Sequence, residues 1–326
     1  MKNYTFGIDI GGTNIKMGLF KITRFELIEK IEIPTPNIDH ATTIFDAVIH
    51  LANEFLDKHG ITYDEILGFG FAIPCPVKHG YVDVCPNLHW RNIDVIQAMQ
   101  NRVPDHVKVV VSNDANIAAY GENESLDIPH NNAIFYTLGT GVGGGIIVEG
   151  EIIEGRTGAG GEIGHMPIFE TNEICGCGKS GCLEQVCGTK AILNQARRLI
   201  PYSQTILKSE HLKVKSIFDA AKHNDSVGLK VIDEMGKYIG LSASILAVSL
   251  DPDVIIIGGG IAQAGDILLN SIKKHYQQYA RFNTINVPIV LAKTGNDAGI
   301  IGAARYSMKA WKGKKNGSEE FSKRHH

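Results

Sequence analysis

The sequence predicts an α/β protein laid out on a duplicated plan, and three observations carry that prediction. Apolar, strand-like runs alternate with stretches of helical periodicity along the 326 residues. Two short hairpins turn on a Gly-Thr pair, at Gly11-Gly12-Thr13 and Gly139-Thr140-Gly141, and each opens a series of strands. The length suits two domains or one large α/β unit.

Taken in order, residues 4–10 read as a strand carrying Asp9 near its end, and 15–20 as its hairpin partner across Gly11-Gly12-Thr13-Asn14. Residues 26–34 read as a third strand. Residues 41–58 have helical spacing, with Ile44, Ala47, Val48, Leu51, Ala52 and Phe55 on one face. The apolar run 66–73 is a buried strand stopped by Pro74 and Pro76. A short helix is expected over 93–103, a strand over 107–111, and a helix opening at 116–121. Residues 133–138 and 143–148 form the second hairpin. Helices follow at 189–200, 214–223 and 225–250, then a short apolar strand at 254–257 ending on Gly258-Gly259-Gly260. A helix over 265–280, a strand over 288–292 and a last helix over 298–310 complete the chain, with a polar, disordered tail at 313–326.

Composition narrows the partners. A formal net charge of −3 provides no basic field for nucleic acid or anionic lipid. No signal peptide or membrane-spanning apolar run is present, so a cytoplasmic protein is expected. Six Cys, three of them clustered, fit a reducing compartment, and Cys75, Cys85 and Cys187 read as ordinary buried thiols. The 36 glycines gather at 11–12, 139–145, 158–164 and 258–260, where backbone must turn sharply or approach a ligand.

The densest chemistry lies in Glu162-Ile163-Gly164-His165, followed by Cys175, Cys177 and Cys182-Leu183-Glu184. Three thiolates and an imidazole make a closed tetrahedral set for zinc. A Cys175–Cys177 bridge would span a single residue and be strained, and the surrounding Gly176, Gly178 and Gly181 describe an exposed turn rather than a core segment. Glu162 and Glu184 are then free to face a polar substrate.

Backbone N–H groups of Gly11, Gly12 and Thr13 can cradle phosphate oxygens, and Asp9 can hold Mg²⁺ through water. Gly139, Thr140 and Gly141 form a second such turn, and Gly258, Gly259 and Gly260 leave room for the base and ribose of a nucleotide. A dinucleotide fingerprint is excluded, because the residues after Gly139-Thr140-Gly141-Val142-Gly143-Gly144 are strand-like rather than helical. Asp114, between a strand and a helix, reads from position alone as a helix N-cap. The paired phosphate turns favour it instead as a general base for a substrate hydroxyl, with neighbouring Asn113 holding another.

These motifs occur together and in order: Asp9-Ile10-Gly11-Gly12-Thr13, Asn113-Asp114-Ala115-Asn116, Gly139 to Gly145, Glu162 to His165, Cys175 to Glu184, Ile257 to Gly260, and Ala298 to Ala304. Together they resemble the ROK family of sugar kinases, repressors and open reading frames over residues 4 to 310. The resemblance implies the two-domain actin-like ATPase (ribonuclease H-like) fold of hexokinases, with a cleft between domains. A small N-terminal domain would comprise 1–115 plus 298–312, and a large domain 116–297. It implies ATP-dependent phosphorylation of a hexose at its 6-hydroxyl, with Asp114 as base and Asn113, Glu162, His165 and Glu184 on the other hydroxyls. Structural zinc would sit on His165, Cys175, Cys177 and Cys182, Mg²⁺ would accompany ATP, and the chain would be a homodimer or homotetramer.

Glucose is the leading substrate, with allose, mannose, N-acetylmannosamine and N-acetylglucosamine as alternatives. The family's usual Pro-Gly-Pro in the sugar-facing loop is here Pro74-Cys75-Pro76. A reading of a different class, a sugar-sensing regulator without catalysis, is disfavoured. The family's repressors carry an N-terminal helix-turn-helix, and only three residues precede the first strand.

Overall fold

The computed structural model describes residues 2–36 and 41–323, those beyond 311 by backbone alone. The chain forms two compact units: Met1–Ser125 with Glu154–Gly160 and Asp297–His326, and Leu126–Ile153 with Gly161–Asn296.

In chain order, the first unit contains β1 (Tyr4–Ile10), β2 (Asn14–Lys21), β3 (Glu26–Pro34), α1 (Ala41–His59), β4 (Ile66–Ile73), β5 (Tyr81–Cys85), β6 (Trp90–Asp94), α2 (Val95–Gln100), β7 (Lys108–Asn113) and α3 (Asp114–Asn123). The second contains β8 (Ala133–Leu138), β9 (Val142–Val148), β10 (Glu151–Ile152), α4 (Glu184–Cys187), α5 (Thr189–Leu199), α6 (Val214–Lys222), α7 (Ser226–Leu250), β11 (Val254–Gly258), α8 (Asp266–Tyr279) and β12 (Ile289–Leu291). Helix α9 (Ala298–Lys323) returns to the first unit.

The main sheet of the first unit has strand order β3-β2-β1-β4-β7. Strands β1 to β3 form an antiparallel meander, and β4 and β7 continue parallel to β1. Every residue of β4 is buried, as expected for a central strand covered on both faces. One cover is α1, whose Ile44, Val48, Leu51, Ala52 and Phe55 join Phe6, Ile8, Phe69 and Phe71 in one apolar cluster. Each of the larger side chains among these removed from water contributes roughly 1.5–3 kcal/mol. The other cover is α9, which approaches so closely that Ile300 O and Ala303 O occupy the places of Cβ atoms on Gly7 and Gly70. A buried hydroxyl pair, Thr5 Oγ1 and Ser307 Oγ at 2.5 Å, fixes the register of that contact.

The second unit repeats the plan, with order β10-β9-β8-β11-β12, an antiparallel meander and two further parallel strands. Its core combines Ile134, Tyr136, Ile255 and Ile257 with α7 and α8, and the buried Tyr136 hydroxyl meets Ser242 Oγ at 3.0 Å. The duplication suggested by the two Gly-Thr hairpins is therefore present in the strand order itself. Among the described residues, no helix is long and apolar enough to cross a membrane.

Three elements differ from the sequence reading. The helix expected over 93–103 is the shorter α2, preceded by the β5–β6 hairpin. Only Val82, Cys85, Leu88 and Trp90 are buried in residues 81–94 up to the helix, too sparse a pattern to signal strands. Helix α3 begins at Asp114, and it groups with the first unit through α9, so the contact boundary follows Ser125 rather than 115. The last helix continues through the tail expected to be disordered, as far as Lys323; no Pro interrupts it, and its Lys and Glu are good helix formers. Residues 324–326 of that expected tail lie outside the described residues.

Candidate functional site

The residues singled out from sequence fall into two sets, one in each unit. In the first, they gather at the carboxyl ends of three adjacent parallel strands, where open α/β sheets place their ligands. Asp9 is near the end of β1, level with Ala72 on β4, while Ile73 on β4 is level with Asn113 on β7. Asp9 lies beside Lys16 across the hairpin, and the first turn of α9 covers it: a Cβ on Gly299 would fall 2.5 Å from its Oδ2. Asp9 keeps partial solvent access, yet burial raises its carboxyl above the usual range, Lys16 opposing the shift and Glu32 adding to it.

The helix cap is Asn113, not Asp114. Asn113 Oδ1 accepts from the N–H groups of Ala115 (2.9 Å) and Asn116 (3.2 Å). Asp114 is the first helical residue, and its Oδ1 accepts from Ala115 N–H at 2.7 Å. The cap reading of Asp114 is therefore corrected: both residue types cap helices well, and only the backbone decides between neighbours. The other end of the Asn113 amide donates to Cys75 O at 3.3 Å.

The Gly11-Gly12-Thr13 turn is held by a residue that the sequence reading passed over. Thr35 donates its N–H to Thr13 O (2.8 Å) and its hydroxyl to Gly11 O (2.6 Å), pinning the turn at both ends. Its position between Pro34 and Pro36, just past a strand paired with β2, is the signal that was available. Asn87 is a second such residue. Its side chain donates to Pro74 O at 3.4 Å, and its own carbonyl lies 3.0 Å from where a Cβ on Gly12 would project.

In the second unit, the ligand atoms of His165, Cys175, Cys177 and Cys182 all lie within 4.8 Å of one another. His165 Nδ1 is 3.7 Å from Cys175 Sγ, and Cys177 Sγ is 3.5 Å from Cys182 Sγ. Tetrahedral zinc with Zn–S near 2.3 Å sets its sulfurs about 3.8 Å apart, so both donor set and spacing fit that ion. Burial, with the neighbouring thiols adding to it, pushes the Cys182 thiol up to about 12. The Lys179 backbone N–H, with help from Cys182, lowers that of Cys177.

Glu184 joins this cluster to the second phosphate turn. Its Oε1 is 3.7 Å from Cys175 Sγ, and its Oε2 accepts from Val142 N–H at 3.1 Å and lies against Gly141, where a Cβ would collide with it. Gly164 packs on Val142 O with equal closeness, which sets the Glu162–His165 backbone beside the start of β9. Thr189, at the start of α5, donates its N–H and hydroxyl to Gly139 O at 3.1 and 2.9 Å. A cavity of about 320 Å³ is lined by Thr140, Gly141, Cys175 and Glu184, and another of about 400 Å³ by Gly139, Thr140, Phe218, Gly260 and Ile261. Both fall in the range of small-molecule sites. Gly258 ends β11 and Gly259 follows it, lying against Leu138. A larger cavity of about 860 Å³ between α5, α7 and α8 contains none of these residues.

One expectation about cysteine fails. Cys187 is a buried thiol, but Cys75 and Cys85 are disulfide-bonded, with Cα atoms 5.2 Å apart. The β5–β6 hairpin folds Cys85 back onto the loop after β4, and sequence spacing alone does not reveal such a pairing. With Cys75 and Cys85 bridged, the six cysteines no longer point to a reducing compartment.

Comparison with known proteins follows the same lines. The ROK family model matches residues 5–309. A glucokinase of Halalkalibacterium halodurans is 36% identical over 307 residues, covering 91% of this chain and 92% of the relative. An N-acetylmannosamine kinase of Vibrio cholerae is 29% identical over 300 residues, covering 92% and 98%. The crystal structure of a ROK family glucokinase from Streptomyces griseus in complex with glucose and AMPPNP superposes with a TM-score of 0.74 at 29% identity, covering 94% of this chain and 99% of that one. The fold is the actin-like ATPase fold of ROK hexokinases.

Proposed function

We propose the following reading for this chain, which belongs to the ROK family: it transfers the γ-phosphoryl group of ATP to the 6-hydroxyl of a hexose, glucose being the leading substrate. Asp114 takes the proton of that hydroxyl as its oxygen attacks phosphorus, and ADP leaves. Asn113, Glu162 and Glu184 hold the remaining hydroxyls. His165 Nδ1 faces the thiol cluster, which leaves Nε2 for the sugar. The backbone of Gly11, Gly12 and Thr13 and of Gly139, Thr140 and Gly141 holds the phosphates, and Gly260, just past Gly258 and Gly259, borders the cavity that would take base and ribose.

Two ions fit these residues. Mg²⁺, on Asp9 through water, would neutralise charge on the phosphates. Zinc, on His165, Cys175, Cys177 and Cys182, would have no open position and so would act by fixing the loop that carries Glu184.

The observation that best supports the reading is the convergence on Glu184, where one carboxylate touches both the phosphate turn and the metal cluster. A sugar held there is oriented by the same group that shapes the nucleotide turn, and such positioning is most of what phosphoryl transfer requires. Other hexoses stay in view because Cys75 replaces the glycine usual in the sugar-facing loop, and epimers differ by only a few kcal/mol in such a pocket. The test is ADP release over glucose, mannose, allose, fructose, N-acetylglucosamine and N-acetylmannosamine, with zinc-loaded wild type and Asp114→Asn side by side. Turnover of one sugar that the variant lacks is the expected result. Silence on every sugar would overturn the reading.

A further inference from the structure

We propose that the Cys75–Cys85 disulfide is a redox-responsive staple on the first unit, which holds Asn113 and the start of α3 in the shape that binds sugar. The inference rests on the kinase reading for its effect on turnover, but not for its structural content.

The chain of contacts is short. Cys75 presents its carbonyl to Asn113 Nδ2 (3.3 Å), and the same amide caps α3 through Ala115 and Asn116. The bond therefore lies one hydrogen bond from the residue beside Asp114. On its other side, Cys85 ends β5, and Asn87, two residues on, donates to Pro74 O and rests against Gly12. One covalent link thus ties together the loop after β4, the segment against the first phosphate turn and, through Asn113, the cap of α3.

The rest of that hairpin supplies little stiffness of its own. β5 and β6 form a separate two-stranded sheet, and isolated hairpins are marginal in water. Its anchors are Val82, Leu88 and Trp90, while Tyr81, Asp83, Val84, Arg91 and Asn92 face solvent. Cys75 and Cys85 are 2% and 0% exposed, so a reductant reaches them only when the hairpin opens locally. That protects the bond without making it permanent.

The exchange balances with a dithiol as reductant. Its thiolate attacks one sulfur and displaces the other cysteine as thiolate. Its second thiol then resolves the mixed disulfide. The dithiol is oxidised by two electrons, and Cys75 and Cys85 each end with one proton.

The experiment uses the zinc-loaded full chain with and without a phosphine reductant, which spares the metal. The phosphine and water become phosphine oxide as two thiols form. Alkylation and mass spectrometry under denaturing, metal-free conditions count the thiols, with four expected before reduction and all six after. Hydrogen exchange is expected to quicken at Ala115 and Asn116 on reduction, though neither residue is part of the disulfide loop. The sugar KM is expected to rise about tenfold with kcat and the KM for ATP nearly unchanged, a modest misplacement by the scale of positioning effects. The Cys75→Ala, Cys85→Ala double variant should show the reduced behaviour in both conditions and no response to phosphine. Six free thiols in aerobically isolated protein, or unchanged exchange at 115–116 on reduction, would overturn the staple. Absent turnover in both redox states, with exchange responding as expected, would count against the kinase reading alone.

Discussion

The two units share a strand order but not a chemistry. At the ends of the corresponding strands β1 and β8, the first unit carries Asp9 and the second Leu138 followed by Gly139-Thr140-Gly141; after β4 and its counterpart β11 come Pro74-Cys75-Pro76 and Gly259-Gly260, and Asn113-Asp114 at the end of β7 has no acidic counterpart immediately after β12. The first also closes its loop with a disulfide and the second with a thiol-imidazole cluster suited to zinc. On the proposed reading the labour would be divided: both copies would supply a backbone turn for phosphate, the first would add the carboxylates that handle the proton and Mg²⁺, and the second the metal-stapled loop that holds the sugar. Removing Asp114 should therefore cost turnover, and disturbing the second copy's stapled loop or its backbone turns should cost binding.

The sharpest test of that division is Asp114→Asn. Turnover should fall by about 10²–10⁴, the usual worth of a positioned general base, with sugar affinity measured by calorimetry little changed. A comparable loss of sugar binding would place Asp114 among the holding groups instead. Next in size is Cys177→Ser or zinc stripping. We expect the sugar KM to rise about 10- to 100-fold, the scale of lost metal support, with the wild-type loss reversed by zinc and by no thiol reagent. Activity indifferent to chelation would break the comparison.

Backbone distortion is tested by Gly259→Ala. Its φ of +83° with extended ψ belongs to a region that only glycine adopts freely, and a Cβ there would collide with Leu138 O. A loss of about 2–4 kcal/mol in urea unfolding and a raised KM for ATP should result.

The smallest expected effect has the opposite sign. Burial raises the folded-state pKa of Asp9, so its contribution to stability is full below the unfolded pKa and is lost as pH rises through the folded one. At neutral pH the fold bears that cost. Asp9→Asn should raise Tm by about 1–3 °C at pH 7 and lose the gain as pH falls toward 4. A lowered Tm at pH 7 would refute the sign.

Sequence exposed what depends on local pattern. The strand-turn-strand units show because glycine pairs interrupt apolar runs, and β4 and β11 show because buried central strands read as unbroken apolar stretches. His165 and the three clustered cysteines were legible because donor type and glycine-rich spacing specify the site together. What stayed hidden depends on long-range partners. The β5–β6 hairpin exposes most of its residues, so alternation gives no signal. The pairing of Cys75 with Cys85 follows from that hairpin and vanished with it. Asn113 and Asp114 are equally good caps by type. Thr35's role and the Glu184 contact to the second turn are set by Gly11 O, Thr13 O and the Val142 N–H, groups far off in sequence that no local window contains.

Helix α9 seals one face of the first sheet by laying its backbone on Gly7 and Gly70. A nascent chain emerging amino end first must therefore leave β1 and β4 uncovered until residues past 300 have been translated. The second unit needs nothing from beyond Asn296, so it is complete while the first still waits. Biosynthesis then inverts the usual amino-to-carboxyl order of domain maturation. A ribosome stalled late in the message should carry a protease-resistant second unit behind an unfinished, apolar and chaperone-dependent first.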